Sequence, residues 1–214
     1  MNQLNSRSLM AVEVFNKQAK VYQDKYMDVS MYHDTFDLFC NYIPKDDAAL
    51  LDIACGPGNV TAYLLQKRPG FRILGIDLAP NMIELAKKNN PGATFELKDA
   101  RAIRTISQQF DAIVCAFGLP YLSKTESEQL IADAYGLLAP GGVLYLSTME
   151  GEEHLSGYYS SSSGDEIYIH YHQAAHLVAV LNQNDFALLA VQRIPAANQH
   201  GWPTDDLILI AKKR

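Results

Sequence analysis

The sequence predicts an α/β protein built on a mostly parallel sheet with helices on both faces, and three observations predict it. Short buried-strand runs alternate with helical stretches between residues 49 and 149. A Gly56-Pro57-Gly58 turn joins the first strand to the helix after it, and the two C-terminal strands are linked by a loop, so they can pair only antiparallel. With 214 residues, 48% of them apolar and 20% charged, the chain can build one sizeable core, which sets aside disordered and collagen-like architectures. A domain commonly takes about 100–200 residues, so the expectation is one domain over 1–214, with a helical cap at 1–47 and a core at 48–214.

The elements follow in order. Val12, Phe15, Ala19, Tyr22 and Tyr26 recur at spacings of three and four, the stripe of an amphipathic helix over 12–26. A second apolar-periodic stretch, 32–42, ends before Pro44; two helices seldom stand alone, so this cap must dock on the main fold. Strand runs come at 49–54, 71–76, 94–97, 111–116 and 143–149. Helices are expected at 60–67, opened by Asn59, at 80–89, opened by Pro80, and at 125–138, where Thr125 and Glu128 have capping-box spacing. The Ala139-Pro140-Gly141-Gly142 turn ends the last of these. Residues 151–164, serine-rich at 160–163, read as a mobile loop within a lid-like insertion around 151–172. A strand at 167–172 and a helix at 174–181 follow, and strands at 186–194 and 206–211 flank a turn-rich stretch at 195–204.

Charge narrows the partners. The balance of 18 basic and 24 acidic residues gives −6, with no basic run longer than Lys212-Lys213-Arg214, so a nucleic-acid backbone is a poor partner. The central charge-free run, 112–122, is far short of the roughly 18–20 residues that span a bilayer. Residues 1–20 carry polar and charged groups throughout and lack the apolar stretch of a secretion signal, so a cytoplasmic protein is expected. Cys40, Cys55 and Cys115, odd in number and set among apolar neighbours, suit buried free thiols.

The most informative residues are Asp52-Ile53-Ala54-Cys55-Gly56-Pro57-Gly58, a glycine turn between a buried strand and a helix. Missing side chains there let a ligand approach backbone N–H groups and the positive helix end, although many α/β folds use such a turn only to pack helix on strand. A dinucleotide fingerprint wants a third Gly or Ala where Thr61 stands, and Asp52 would repel a pyrophosphate while suiting an ammonium group. Asp77 closes the second strand about 20 residues after the turn, where an acid can accept two ribose hydroxyls, and Asp99 follows the third strand.

Together these features resemble the class I S-adenosylmethionine-dependent methyltransferases, over roughly residues 50–211. The first segment matches that family's D-x-x-x-G-x-G motif. Gly75-Ile76-Asp77-Leu78-Ala79-Pro80-Asn81-Met82 resembles its second segment, Lys98-Asp99-Ala100 its third, Phe110-Asp111-Ala112-Ile113-Val114 its fourth, and Leu137-Leu138-Ala139-Pro140-Gly141-Gly142 the turn before strand five. The resemblance implies a Rossmann-like three-layer sandwich with a seven-stranded sheet ending in an antiparallel hairpin, and S-adenosylmethionine as cofactor with S-adenosylhomocysteine as product. It also implies residue roles. Ala54, Gly56 and Gly58 would lie along the methionine part, with Asp52 near its ammonium group; Asp77 would hold the ribose hydroxyls, and Leu78 and Met82 would flank the adenine. Asp99 and the Ala100 backbone would read the adenine's polar edge, Ala116 would sit beneath the sulfonium, and Tyr22 or Tyr26 would close over the cofactor, with core packing as the other reading for both.

Methyl transfer is an in-line displacement, so a base is needed only when the acceptor arrives protonated. The acceptor pocket is expected outside the carboxyl ends of the strands, near the cap helices, residues 117–122 and residues 151–172. Tyr121, His170 and His172 are the candidates for a base or hydrogen-bonding role, with Phe117, Tyr158, Tyr159, Tyr168 and His176 nearby in sequence. No carboxylate or thiolate completes a ligand set with the histidines, so no metal is expected. Gly118-Leu119-Pro120-Tyr121 departs from the [Asn/Asp/Ser]-Pro-Pro-[Tyr/Phe] motif of enzymes that methylate base amino groups, which favours a small-molecule acceptor. A nicotinamide-dependent oxidoreductase and a non-enzymatic binding protein are the competing readings.

Overall fold

The computed structural model describes residues 6–160, 164–195 and 205–214, so most of the turn-rich stretch and residues 161–163 of the serine run lie outside the described residues. Strands β1 (Ala49–Ile53), β2 (Arg72–Asp77), β3 (Thr94–Leu97), β4 (Phe110–Ala116) and β5 (Leu138–Met149) run parallel, and β9 (Asp205–Lys213) lies antiparallel between β5 and β8 (Phe186–Pro195). The seven strands lie in the order β3-β2-β1-β4-β5-β9-β8, with the reversal of order between β1 and β4. That reversal opens a crevice at the carboxyl ends of the strands, the usual ligand position in such sheets.

Period-two alternation builds the three layers. Leu51, Ile53, Ile113, Cys115, Leu144 and Leu146 pack against α5 (Lys124–Leu137) and α6 (Ala174–Gln183). Leu50, Ala112, Val114, Val143 and Tyr145 face the other way, toward α2 (His33–Asn41) and α3 (Asn59–Lys67). Both faces of β1 and β4 are thus buried, and truncating a central residue such as Leu51 would cost about 2–5 kcal/mol. Helix α4 (Pro80–Asn89) follows β2, and α1 (Ser6–Tyr26) lies over it, with Ala19 and partly buried Phe15 and Tyr22 packed on Ala79 and Met82.

Several expected boundaries change. Helix α1 starts at Ser6 rather than residue 12, because its buried stripe includes Ala11. Helix α5 is capped by Ser123, whose hydroxyl accepts the Glu126 amide, so the working capping box is Ser123/Glu126 and not Thr125/Glu128. Strand β5 takes in the expected turn at 139–142, where pairing with β4 skips from Phe110↔Leu138 to Ala112↔Val143. The expected loop at 151–164 is partly ordered: β6 (Gly157–Ser160) pairs antiparallel with β7 (Glu166–Ile169). β7 stops before His170, and His172 makes only a single bridge with Glu150, so Tyr168, His170 and His172 do not share one strand. The hairpin reaches α1 through Asp165, which accepts from Lys17 and Gln18 at 2.8 and 2.9 Å.

Candidate functional site

The turn after β1 runs through left-handed backbone at Ala54 (φ 55°), Gly56 (φ 54°) and Gly58 (φ 81°). A side chain on Gly56 would point into open space toward Tyr22, 3.8 Å away, so its backbone faces a cleft. Gly58 serves packing instead: a Cβ there would lie 2.4 Å from the Asn90 amide nitrogen, which donates to the Gly58 carbonyl at 2.9 Å.

Asp77, at the end of β2, spans both loops of the cleft floor. Its Oδ2 accepts the Gly56 amide at 3.0 Å and its Oδ1 the Ala79 amide at 2.8 Å. Burial raises its pKa, while those amides and that of Leu78 pull the other way. Leu78, Met82, Ala100 and Ala116 give the cleft apolar wall, and Ala54, Gly56, Asp77 and Asp99 its polar edge. Tyr22 and Tyr121 also line it, and burial raises the pKa of both phenols, so each is a protonated hydroxyl at neutral pH. Phe15 bridges them, its ring 5.7 Å from Tyr22 and 4.9 Å from Tyr121. Phe117 (φ 56°) turns the chain after β4 and brings its ring to the cleft and to within 5.2 Å of Tyr32.

Other expected site residues lie elsewhere. Asp52 is fully buried beneath the turn, where the Thr61 hydroxyl donates to it at 2.6 Å, and burial lifts its pKa to about 7. Neither Asp52 nor Gly58 lines the cleft. His170 and His172 line a separate, neighbouring cavity; the ring Nε2 of His172 lies 2.9 Å from the Leu119 carbonyl, where it holds the turn before Tyr121. Burial lowers the pKa of both histidines.

Arg101, which the sequence did not single out, organises one end of the cleft. Its guanidinium binds Asp99 at 2.6 Å and Glu126 at 3.1 Å, and lies 3.4 Å from the Ser8 hydroxyl of α1. Asp99 also caps the short 3-10 turn at Ala100–Thr105 by accepting the Arg101 amide. No local motif announces a pairing between residues 25 positions apart; only the fold brings them together. Among the described residues no cluster of His, Cys, Asp and Glu is arranged to hold a metal ion.

A glycine turn, a bridging acid after β2 and a seven-stranded sheet ending in a hairpin coincide with the comparisons to known proteins. Residues 50–142 match the family model described as a methyltransferase domain. Over that segment the chain is similar to methyltransferase domains. It is 34% identical over 112 residues to a trans-aconitate 2-methyltransferase of Variovorax paradoxus, covering 52% of this chain and 42% of that protein. It is 33% identical over 138 residues to a malonyl-[acyl-carrier protein] O-methyltransferase of Priestia megaterium, covering 63% and 49%. The chain thus spans less than half the length of these curated relatives. A solved methyltransferase from Methanosarcina mazei shares the fold, with a TM-score of 0.70 at 23% identity over 82% of this chain and 96% of that one. The matched methyltransferase segment holds the Gly56 turn, Asp77, Asp99 and Arg101; Tyr22 and α1 lie outside it.

Proposed function

We propose that the protein is a cytoplasmic, S-adenosylmethionine-dependent methyltransferase that acts on a small molecule, as a single domain with a helical cap at 1–47, whose α1 covers the cleft, and a lid-like insertion around residues 151–172. The observation that carries this reading is the Asp77 carboxylate held between the Gly56 and Ala79 amides at the floor of a cleft with an apolar wall. The residues suit the group: open backbone at Gly56, a carboxylate for vicinal hydroxyls, apolar side chains for a planar base, and a second acid for its edge. S-adenosylmethionine, when bound, supplies an electrophilic methyl group on a positive sulfonium.

The chain's own contribution is binding, orientation and exclusion of water. Asp77 takes the ribose hydroxyls, Leu78 and Met82 pack on the adenine, and Asp99 with the Ala100 backbone meets its polar edge. Gly56 and Ala54 run beside the methionine part, with Tyr22 over them, and Ala116 lies under the reacting centre. Asp52 and Gly58 act from below, holding the turn on α3 and α4. Tyr121 and Phe15 shield the cleft from water. The names of the relatives, for trans-aconitate and malonyl-[acyl-carrier protein], support small acceptors over nucleic acid. No described helix is long and apolar enough to cross a membrane.

The test is incubation with methyl-labelled S-adenosylmethionine and a panel of small carboxylates, phenols and amines, reading label transferred to acceptor. Transfer to one class, lost in Asp77→Ala, supports the reading; no transfer together with no binding of S-adenosylhomocysteine overturns it.

A further inference from the structure

Asp99 lines the cleft, yet most of its hydrogen-bonding capacity is taken up within the protein. A carboxylate offers about four lone-pair directions. Oδ1 accepts the Arg101 amide at 2.9 Å and Arg101 Nε at 3.0 Å. Oδ2 accepts Nη2 at 2.6 Å, with Nε also within 3.2 Å. About one direction, on Oδ2, is left for a ligand, and the side chain keeps 26% of its surface exposed. Burial by itself would push the Asp99 carboxyl up, but hydrogen bonds and charge from Arg101 bring it below the ordinary range. At neutral pH it is therefore an anion that accepts and has no proton to donate.

Arg101 is itself held from the far side. Its Nη1 donates to Glu126 Oε1 at 3.1 Å, and Glu126 Oε2 accepts both the amide and the hydroxyl of Ser123 at 2.8 Å, the capping box that starts α5. The orientation of Asp99 is thus rooted in a helix end, through a planar fork clamped at both edges. Two carboxylates share this one guanidinium, so the cluster keeps a negative charge beside the cleft. Lys98 also lines the cleft, but its ammonium donates to the Thr105 hydroxyl at 3.1 Å. A point charge of that kind would attract a carboxylate without fixing its plane, which the guanidinium fork does.

We propose that Arg101 is a positioning residue for base recognition: it sets the Asp99 carboxylate so that one oxygen accepts from an exocyclic amino group and rejects a carbonyl in the same place, which makes the cleft selective for adenine over hypoxanthine. This deepens the S-adenosylmethionine reading of the cleft and rests on it. An amino group brings a proton to the one open direction. A carbonyl oxygen there faces an anion with no proton to share, and both are left unsatisfied as water leaves. The torsion that turns a carboxylate about its own axis is soft, so an unclamped Asp99 could rotate away from the carbonyl. Selectivity, more than affinity alone, is what the fork supplies.

The test is calorimetric titration of the full chain with S-adenosylhomocysteine and with S-inosylhomocysteine, which carries a carbonyl where the amino group stands. Both titrations are repeated on Arg101→Lys, which keeps the charge and loses the fork, on Glu126→Gln, which loosens Arg101 from its far side, and on Asp99→Asn with and without Arg101→Lys. The native chain should prefer the adenine ligand by about a hundredfold or more. Arg101→Lys should narrow that preference about tenfold, chiefly through weaker S-adenosylhomocysteine binding, and Glu126→Gln by about threefold. Asp99→Asn should narrow it as well, and adding Arg101→Lys should then change it by less than about twofold, since Arg101 acts through Asp99. A variant that only loses stability weakens both ligands alike and leaves the ratio intact, so the ratio reports position. A native preference below about threefold, a preference retained in both Arg101→Lys and Glu126→Gln, or an Arg101→Lys effect as large without Asp99 as with it overturns the proposal while S-adenosylhomocysteine still binds. Binding of neither ligand to the native chain removes the S-adenosylmethionine reading, and this proposal with it.

Discussion

The Gly56 amide donates to the Asp77 carboxylate at 3.0 Å, tying the turn after β1 to the end of β2. The same carboxylate accepts the Ala79 amide, so it holds together the loops after β1 and β2, next to the crevice between β1 and β4 where the strand order reverses. A group already hydrogen-bonded by backbone cannot swing away when a ligand arrives; its remaining lone pairs are set in advance.

Gly58→Ala should destabilise the fold rather than alter the cleft. The residue has φ 81°, and a Cβ would press on Asn90 and Ala86. Strained backbone and overlap together cost about 2–4 kcal/mol, which for a chain of this size lowers the thermal midpoint by roughly 5–15 °C. A thermal unfolding scan checks it.

Arg101→Ala should leave Asp99 and Glu126 facing each other without their shared cation, at a cost of about 1–3 kcal/mol in stability. Burial by itself would raise both carboxyl pKa values, but hydrogen bonds and charge from Arg101, together with backbone and Ser123 contacts, hold them below the ordinary range. The sign follows: their contribution is full above about pH 5 and is lost as pH falls through the carboxylate range. Denaturant unfolding between pH 2 and 6 should show a steeper acid-side loss in the native chain than in the variant.

Asp52 works in the opposite direction. Its folded pKa of about 7 lies above the unfolded value, so the stability it contributes is full at low pH and declines as pH rises to about 7. Asp52→Asn can still accept the Thr61 hydroxyl bond. The variant should flatten the loss of stability between about pH 4 and 7, again read by denaturant unfolding.

His172→Ala should lower stability through the turn it supports, because its ring meets the Leu119 carbonyl in a buried position. Losing that partner costs about 1–3 kcal/mol. S-adenosylhomocysteine affinity should fall by less than the Asp77→Ala variant loses, since His172 does not line the donor cleft.

The sheet was legible because its cause is local: alternating residues such as Leu50 and Leu51 bury opposite faces, and glycine turns punctuate them. Gly56 and Asp77 were legible for the same reason, each standing at the end of a readable strand. The β6–β7 hairpin was not, since Gly157-Tyr158-Tyr159-Ser160 has no apolar alternation and gains its order from pairing and from Asp165 docking on α1. The start of α5 was ambiguous because Ser123/Glu126 and Thr125/Glu128 share one spacing; the first is used, and Glu126 then also meets Arg101. Asp52 looked available for a ligand because sequence carries no depth: its alternation places it inward, against Thr61.

Calorimetric titration of the native chain and of Asp77→Ala with S-adenosylhomocysteine tests whether the Asp77-bridged cleft is a donor site. The expected result is saturable one-to-one binding, weakened by about 1.5–3 kcal/mol, roughly ten- to 150-fold, when the carboxylate is removed. No saturable binding to the native chain, or equal affinity in the two proteins, would contradict it.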